Sequence, residues 1–296
     1  MRRREFLSLA AAGTLGGLTG SLMASTGVAA GMPLRLRFLG TGAADWCGRD
    51  ARGELRRLSS VLLDSRALID FTASAADMLP AGVRPAVIFH THSHEDHYDP
   101  GAALEAGVRR VYVHESWVEG ARTEYAAAAA KLGVGVPEVR SLGFGESAVE
   151  GGVRFVSLPA NHVTDRRGER CSMYLVEKGD RRLLYATDTG GIPGEAARLA
   201  GIDAHVRPGR PIHALVMEAT MGVGHADDFR IFSHSSVETV SRTVRVLLQT
   251  ERYVPPSGRK VFLTHMARTL HGTHAEIAAA LPDPLVPAFD GLEIEI

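Results

Sequence analysis

Apolar and polar positions alternate along Leu34-Arg35-Leu36-Arg37-Phe38-Leu39, the period of a half-buried strand, and Gly40-Thr41-Gly42-Ala43 breaks the run. An irregular stretch from Asp45 to Arg57 follows, then Ser59 to Asp64 and Ala67 to Phe71 read as a hairpin. Val87-Ile88-Phe89 reads as a buried strand that runs into a polar loop and a turn at Tyr98-Asp99-Pro100-Gly101. Arg110 to His114 is a further strand, and Ser116 to Lys131 is predicted as a helix with Ser116 as its N-cap. Phe144 to Val149 and Val153 to Pro159 read as strands joined at Glu150-Gly151-Gly152, and Cys171 to Glu177 with Arg182 to Ala186 as a second hairpin. A short helix over Gly194 to Ala200, a strand over Ile212 to Thr220, a helix from Ser236 to Gln249 and a strand over Lys260 to Met266 complete the pattern, before a closing segment from Pro287 to Ile296. Strands interleave with helices and no repeat or linker divides them, which predicts one α/β domain over residues 31–296.

Residues 1–30 follow different rules. Arg2-Arg3-Arg4-Glu5-Phe6-Leu7-Ser8 precedes a weakly apolar Ala/Gly/Leu segment from Leu9 to Met23, and Val28-Ala29-Ala30 offers small residues for cleavage. Gly13, Gly16, Gly17 and Gly20 make the segment a poor helix, and it lacks the roughly 20 strongly apolar residues of a membrane span. It resembles a twin-arginine signal peptide, which implies export of the folded chain by the twin-arginine machinery to the periplasm or beyond. No later stretch is long and apolar enough to cross a bilayer.

With 296 residues, 45% of them hydrophobic and 23% charged, the chain can bury a full core. Its formal net charge of −1 supplies no global basic field for nucleic acid or an anionic membrane. Two cysteines, Cys47 and Cys171, are too few and too far apart for a disulfide framework or a C-x-x-C metal site. The informative residues are the 13 histidines, most of which fall in a few clusters.

His92, His94, Asp96 and His97 leave the end of the Val87–Phe89 run within six residues. His92 and His94, two apart in extended backbone, point the same way and can hold one ion, while Asp96 and His97 can face a second. Such nitrogen and oxygen donors suit zinc, with manganese or iron as alternatives; the competing reading is a polar surface loop. His162, Asp188 and His265 stand at further strand ends, and Asp188 reads alternatively as the N-cap of the Gly194 helix.

The H-x-H-x-D-H spacing resembles the signature of the metallo-β-lactamase-fold hydrolases. Phe38 to Ala43 (F-L-G-T-G-A), Glu218-Ala219-Thr220, His234-Ser235-Ser236, and L-T-H-M with the terminal A-F-D-G-L-E-I-E-I are similar to the ribonuclease Z and phosphoribosyl 1,2-cyclic phosphate phosphodiesterase branches. The resemblance implies an αβ/βα four-layer sandwich and two divalent metal ions. His92, His94 and His162 are expected on one, Asp96, His97 and His265 on the other, and Asp188 between them. It implies two ions sharing an activated water, with Asp96 also orienting that water. His234, held by Glu218, is expected to give a proton to the leaving group of a small phosphodiester, cyclic ones included; His225 is a second candidate donor, and His234 reads otherwise as a helix cap. A lactonase or other carbon-electrophile hydrolase and a non-catalytic ligand-binding protein are the alternatives. Arg166, Arg167 and Arg170 read as a phosphate clamp or a solvated loop, His114 as a structural histidine, and His271 and His274 as rim or surface residues. The chain departs from the cyclic phosphodiesterases in two places: the loop after the first strand holds only Cys47, and Arg268 stands where they often place a histidine. These departures predict no third metal, and no segment is long enough for an arm that grips tRNA.

Overall fold

The computed structural model describes residues 33–296 apart from 207, 208, 256, 257 and 259, so the leader read at residues 1–30 lies outside the described residues. The first half of the chain supplies β1 (Arg35–Gly40), β2 (Ser60–Leu63), β3 (Ala67–Ile69), β4 (Val87–Phe89), α1 (Pro100–Ala106), β5 (Arg110–Val113), α2 (Val118–Leu132) and β6 (Glu138–Ser141). The second supplies β7 (Ser147–Glu150), β8 (Val153–Pro159), β9 (Ser172–Lys178), β10 (Arg181–Ala186), α3 (Gly194–Leu199), β11 (Ala214–Glu218), α4 (Val237–Gln249), β12 (Val261–Thr264), α5 (His274–Ala280), β13 (Leu285–Pro287) and β14 (Glu293–Glu295). They form two seven-stranded sheets, ordered β14-β1-β2-β3-β4-β5-β6 and β13-β12-β11-β10-β9-β8-β7.

The period-2 alternation of the strands sets the layers. Leu36, Phe38, Val61, Leu63, Val87 and Phe89 of the first sheet meet Phe155, Tyr174, Val176, Leu183, Tyr185 and Val216 of the second between the sheets. The alternate residues face outward: Leu62, Leu68, Ile88 and Val111 pack under α1 and α2. Leu175, Leu184, Leu215, Met217 and Leu263 do the same under the helices of the second half. The order helix, sheet, sheet, helix is the αβ/βα sandwich expected. Phe89 joins the two sheets, its ring stacked 4.5 Å from Tyr112 and 4.0 Å from Phe155.

Within the first sheet β3, β4, β5 and β6 run parallel, and within the second β10, β11, β12 and β13 do. β8 and β10 are both antiparallel to β9 and so share a direction. The carboxyl ends of β8, β10, β11 and β12 therefore lie at one edge of the second sheet, and those of β3 and β4 at one edge of the first. Ligand sites of parallel sheets gather at such edges.

Several local expectations are corrected. Ser116 is not the N-cap of α2: a 3₁₀ turn over Glu115–Trp117 intervenes, capped by the His114 side chain, which accepts from Ser116 N. The Tyr98–Gly101 turn continues into α1, with Asp99 accepting from Ala102 N and Pro100 in the first helical turn. β6 and α5 add an edge strand and a short helix that the pattern did not announce. α4 conforms: Val237, Val240, Val244 and Leu247 are buried at helical spacing and Ser236 caps it. No helix among the described residues is long and apolar enough to cross a membrane.

Candidate metal centre

Each candidate side chain is placed where a strand runs out. Asp70 follows β3 at φ 52°, Asp188 lies just past β10 at φ 47°, and His265 follows β12 at φ 52°. Left-handed backbone costs a non-glycine residue on the order of 1–3 kcal/mol and persists only where surrounding contacts fix it, typically at functional sites. Here it breaks the strand alternation and turns the chain where these three side chains leave the sheets.

The side chains form two clusters that share Asp188. In the first, His94 Nδ1 lies 2.9 Å from His92 Nε2 and 3.2 Å from His162 Nε2. In the second, Asp96 Oδ2 lies 3.3 Å from His97 Nε2 and 3.2 Å from His265 Nε2. Asp188 faces both: Oδ1 is 3.8 Å from His162 Nε2, and Oδ2 is 3.0 Å from His97 Nε2 and 3.4 Å from His265 Nε2. His92–His94–His162, His92–His97–Asp188 and Asp96–His97–His265 are each tight enough to hold an ion.

The donors fit divalent metal ions. Three imidazole nitrogens converge in the first cluster, and one proton cannot satisfy them all; a cation between them would. In the second, His97 Nε2 is buried without a hydrogen-bond partner although two carboxylates stand close. Nitrogen and carboxylate oxygen together suit borderline ions.

The far sides of the rings are held. Asp70 accepts from His97 Nδ1 at 2.8 Å and from Thr91 N and Oγ1 at 2.8 and 2.7 Å. Thr220 Oγ1 lies 2.8 Å from His265 Nδ1, and His162 Nδ1 donates to Ser233 O at 3.1 Å. Such partners fix ring orientation and ligand basicity. The sequence reading missed Asp70, Thr220 and Ser233. Asp70 did leave a signal, a carboxylate closing the wholly apolar run Ala67-Leu68-Ile69 and lying fully buried.

Electrostatics separates the groups. Burial and the neighbouring His97 push His92 well below the usual imidazole range, and burial also lowers His162. Burial opposes charge on His97 too, but Asp188, Asp96 and Asp70 outweigh it and raise it well above that range. Burial raises Asp96, Asp188 and Asp70, yet the surrounding imidazoles prevail and lower all three, Asp70 to about 2.

His234 borders this centre, with its ring 4.8 Å from His162 and Nδ1 3.8 Å from Asp188 Oδ1. Its Nδ1 lies 3.2 Å from both Glu218 Oε2 and Thr220 Oγ1. Glu218 is buried and accepts from Thr189 N and from Thr220 Oγ1. Burial disfavours the imidazolium, but Glu218 and Asp188 outweigh it and push His234 up to about 9. Ser236, not His234, caps α4, and Asp188 caps no helix, since α3 has Pro193 as its N-cap.

Other candidates fall outside these clusters. His225 lies 3.9 Å from Asp228 on an exposed turn, and His114 is occupied by Ser116 and the Phe144 ring. Arg166 lies over Tyr98 and Trp117 and pairs with Glu124 at 2.8 Å, and Arg170 lies over the Phe144 ring. His271 donates to Ala219 O at 2.7 Å, and His274 lies beside Arg56 and Phe289. At the loop after β1, Asp45 accepts from Arg268 N and Thr269 N, and Arg268 Nη1 lies 3.6 Å from Cys47 Sγ.

Comparison with known proteins bears on the same region. Among curated proteins none matches in sequence. Among solved structures, zinc-bound PqqB from Methylobacterium extorquens superposes with TM-score 0.65 at 16% identity, covering 88% of this chain and 100% of that one. Human tRNase Z, short form, gives 0.61 at 17% identity over 88% and 98%. A diphosphatase of the PhnP family gives 0.59 at 19% identity over 90% and 98%. At these identities the likeness is one of fold. In sequence, the family described as Beta-lactamase superfamily domain matches residues 61–266, a span that runs from β2 through the H-x-H-x-D-H loop to Met266; the chain belongs to the beta-lactamase superfamily, in its metallo-β-lactamase fold.

Proposed function

We propose that this protein is a dinuclear metal-dependent phosphodiesterase of small substrates, cyclic diesters included, that works after export by the twin-arginine route. The observation that carries the reading is the pairing of buried Glu218 with half-buried His234 at the edge of the clusters that share Asp188. Breaking the P–O bond to a poor alkoxide leaving group needs a proton as well as an attacking water, and a carboxylate-held imidazole supplies it. A diphosphatase and a tRNase Z among the fold neighbours support phosphorus chemistry.

His92, His94 and His162 would hold one ion, Asp96, His97 and His265 the other, with Asp188 reaching both. When bound, two divalent ions supply Lewis acidity and lower the pKa of water towards neutrality. Asp96 engages its histidines through Oδ2, so Oδ1 can accept a hydrogen bond from the attacking water. Glu218 and Thr220 fix the Nδ1 side of His234, which leaves Nε2 to deliver the proton to the departing oxygen. Water attacks phosphorus and the P–O bond to the leaving group breaks, giving a monoester and an alcohol from an open diester and a single hydroxyl-bearing monoester from a cyclic one.

The test is a parallel assay of bis(p-nitrophenyl) phosphate, a lactone and a cephalosporin with zinc-loaded mature protein. Turnover of the diester ahead of the other two is expected. Lactone or lactam turnover without diester turnover contradicts the phosphodiesterase reading and leaves a carbon-electrophile hydrolase on the same fold.

A further inference from the structure

The segment between β8 and β9 carries His162 out of one sheet edge and returns past the loop that carries His92 and His94. It is fastened at several points: Asn161 N donates to Thr189 Oγ1 at 2.9 Å, and Arg170 N donates to Ser116 Oγ at 3.0 Å. One further fastening is of a different kind. The Glu169 side chain is wholly inaccessible to solvent, its Oε1 accepts from Ser93 N at 2.8 Å and its Oε2 from Ser93 Oγ at 2.6 Å. Its nearest cation is Arg166, with Nε 3.8 Å away.

Ser93 stands between His92 and His94 in the chain. Successive side chains of an extended segment point to opposite sides, so a residue placed between two side chains aimed one way presents its own to the other. Glu169 takes hold of that other side. Both its oxygens are used, and hydrogen bonds to an ionised carboxylate are roughly twice as strong as neutral ones. A buried carboxylate without them would be strongly destabilising, so the two segments are held in one register. The consequence is local. The segment that bears His162 is bolted to the point between His92 and His94, whereas His97 and His265 are oriented from elsewhere, by Asp70 and Thr220.

We propose that Glu169 is a positioning residue for the His92–His94–His162 half of the centre: through Ser93 it sets the approach of the two segments that supply that half, and it leaves the Asp96–His97–His265 half unaffected. The inference rests on the metal-hydrolase reading. It assigns a role to a residue whose sequence context, an Arg-rich loop, suggested only solvation or phosphate contact.

The test reads metal affinity rather than turnover. Zinc stoichiometry and the two dissociation constants are measured by chelator competition on the mature chain, with His162→Ala and His265→Ala identifying which constant belongs to which half. Glu169→Ala is expected to weaken the ion lost in His162→Ala by about 10- to 100-fold, the usual cost of removing a residue that orients a ligand, and to change the other less than about threefold. Glu169→Gln should recover most of the loss, because its amide can accept from Ser93 N and donate towards Ser93 Oγ. Ser93→Ala, the milder change should Glu169→Ala fail to fold, should weaken the same ion by an intermediate factor. Unchanged affinities with only a lower melting temperature, or equal weakening of both ions, would overturn the inference and leave Glu169 a purely structural clasp. A wild-type chain that binds no zinc would remove the metal-centre reading, and this inference with it; the wild-type measurement alone separates that failure from the others.

Discussion

At His234, as the proposed donor, two requirements meet, since a proton donor must stay protonated at neutral pH and still release its proton to a leaving oxygen. Burial works against the first and Glu218 restores it. His234→Ala is therefore expected to lower kcat by about 10²-fold or more on a diester with an alkoxide leaving group, and far less on a nitrophenyl diester, whose leaving group departs unprotonated. Equal losses on both substrates would show that His234 acts by structure alone. A second residue gives a pH signature. Burial pushes His271 down to about 4 in the folded protein, where Nε2 donates to Ala219 O. Because its folded value lies below the ordinary value of about 6.5, the unfolded chain takes up the proton first as pH falls. The stabilisation is complete above about pH 6.5 and is lost progressively as pH drops through about 4. His271→Gln should reduce the fall in unfolding free energy between pH 7 and pH 4.5 by roughly 2 kcal/mol, measured by urea titration. The residues of the two clusters were legible in the sequence because histidines and aspartates at the ends of apolar runs are conspicuous. Asp70, Thr220, Ser233 and Glu169 were not, because their partners come from other segments and only the tertiary approach pairs them.

Among the elements, the strands that carry the site were the most legible, since the continuous apolar runs Val87-Ile88-Phe89 and Leu183-Leu184-Tyr185 are buried on both faces. β6 was hidden because only Val139 of its four residues is buried, as befits an edge strand. α5 was hidden because a single buried Ile277 gives no helical period, although its Thr273/Glu276 capping box was readable. The N-cap of α2 was misread because His114, a less usual cap than serine, takes that role for the 3₁₀ turn ahead of it. β4 deserves the most direct mutational test, because it both bridges the sheets and leads into the loop of His92 to His97. Phe89→Ala removes a wholly buried ring stacked on Tyr112 and Phe155 and is expected to cost about 3–5 kcal/mol in urea unfolding. A cost below 1 kcal/mol would mean that the sheet interface does not depend on this ring.

On the scale of the whole molecule, the sandwich explains why residues far apart in the chain, Asp96 and His265 of one cluster, 169 positions apart, and His92 and His162 of the other, meet at all: matching carboxyl edges of two sheets face one another. Residue patterns announced each strand end but not that these edges coincide; that came only with the family resemblance. The proposed export belongs to this scale too. Replacing Arg2, Arg3 and Arg4 together by Lys is expected to retain the uncleaved chain inside the cell, whereas the wild-type chain should be recovered outside the inner membrane and shortened by its leader, as read by fractionation and intact mass. Equal export of both would contradict a twin-arginine route. The centre itself, two half-sites joined by Asp188, makes the most direct demand. Metal-free mature protein titrated with zinc, with turnover of bis(p-nitrophenyl) phosphate followed at each step, is expected to gain its diesterase activity as the second equivalent binds. Full activity after one equivalent, or diester turnover undiminished in metal-free protein, would contradict the dinuclear account.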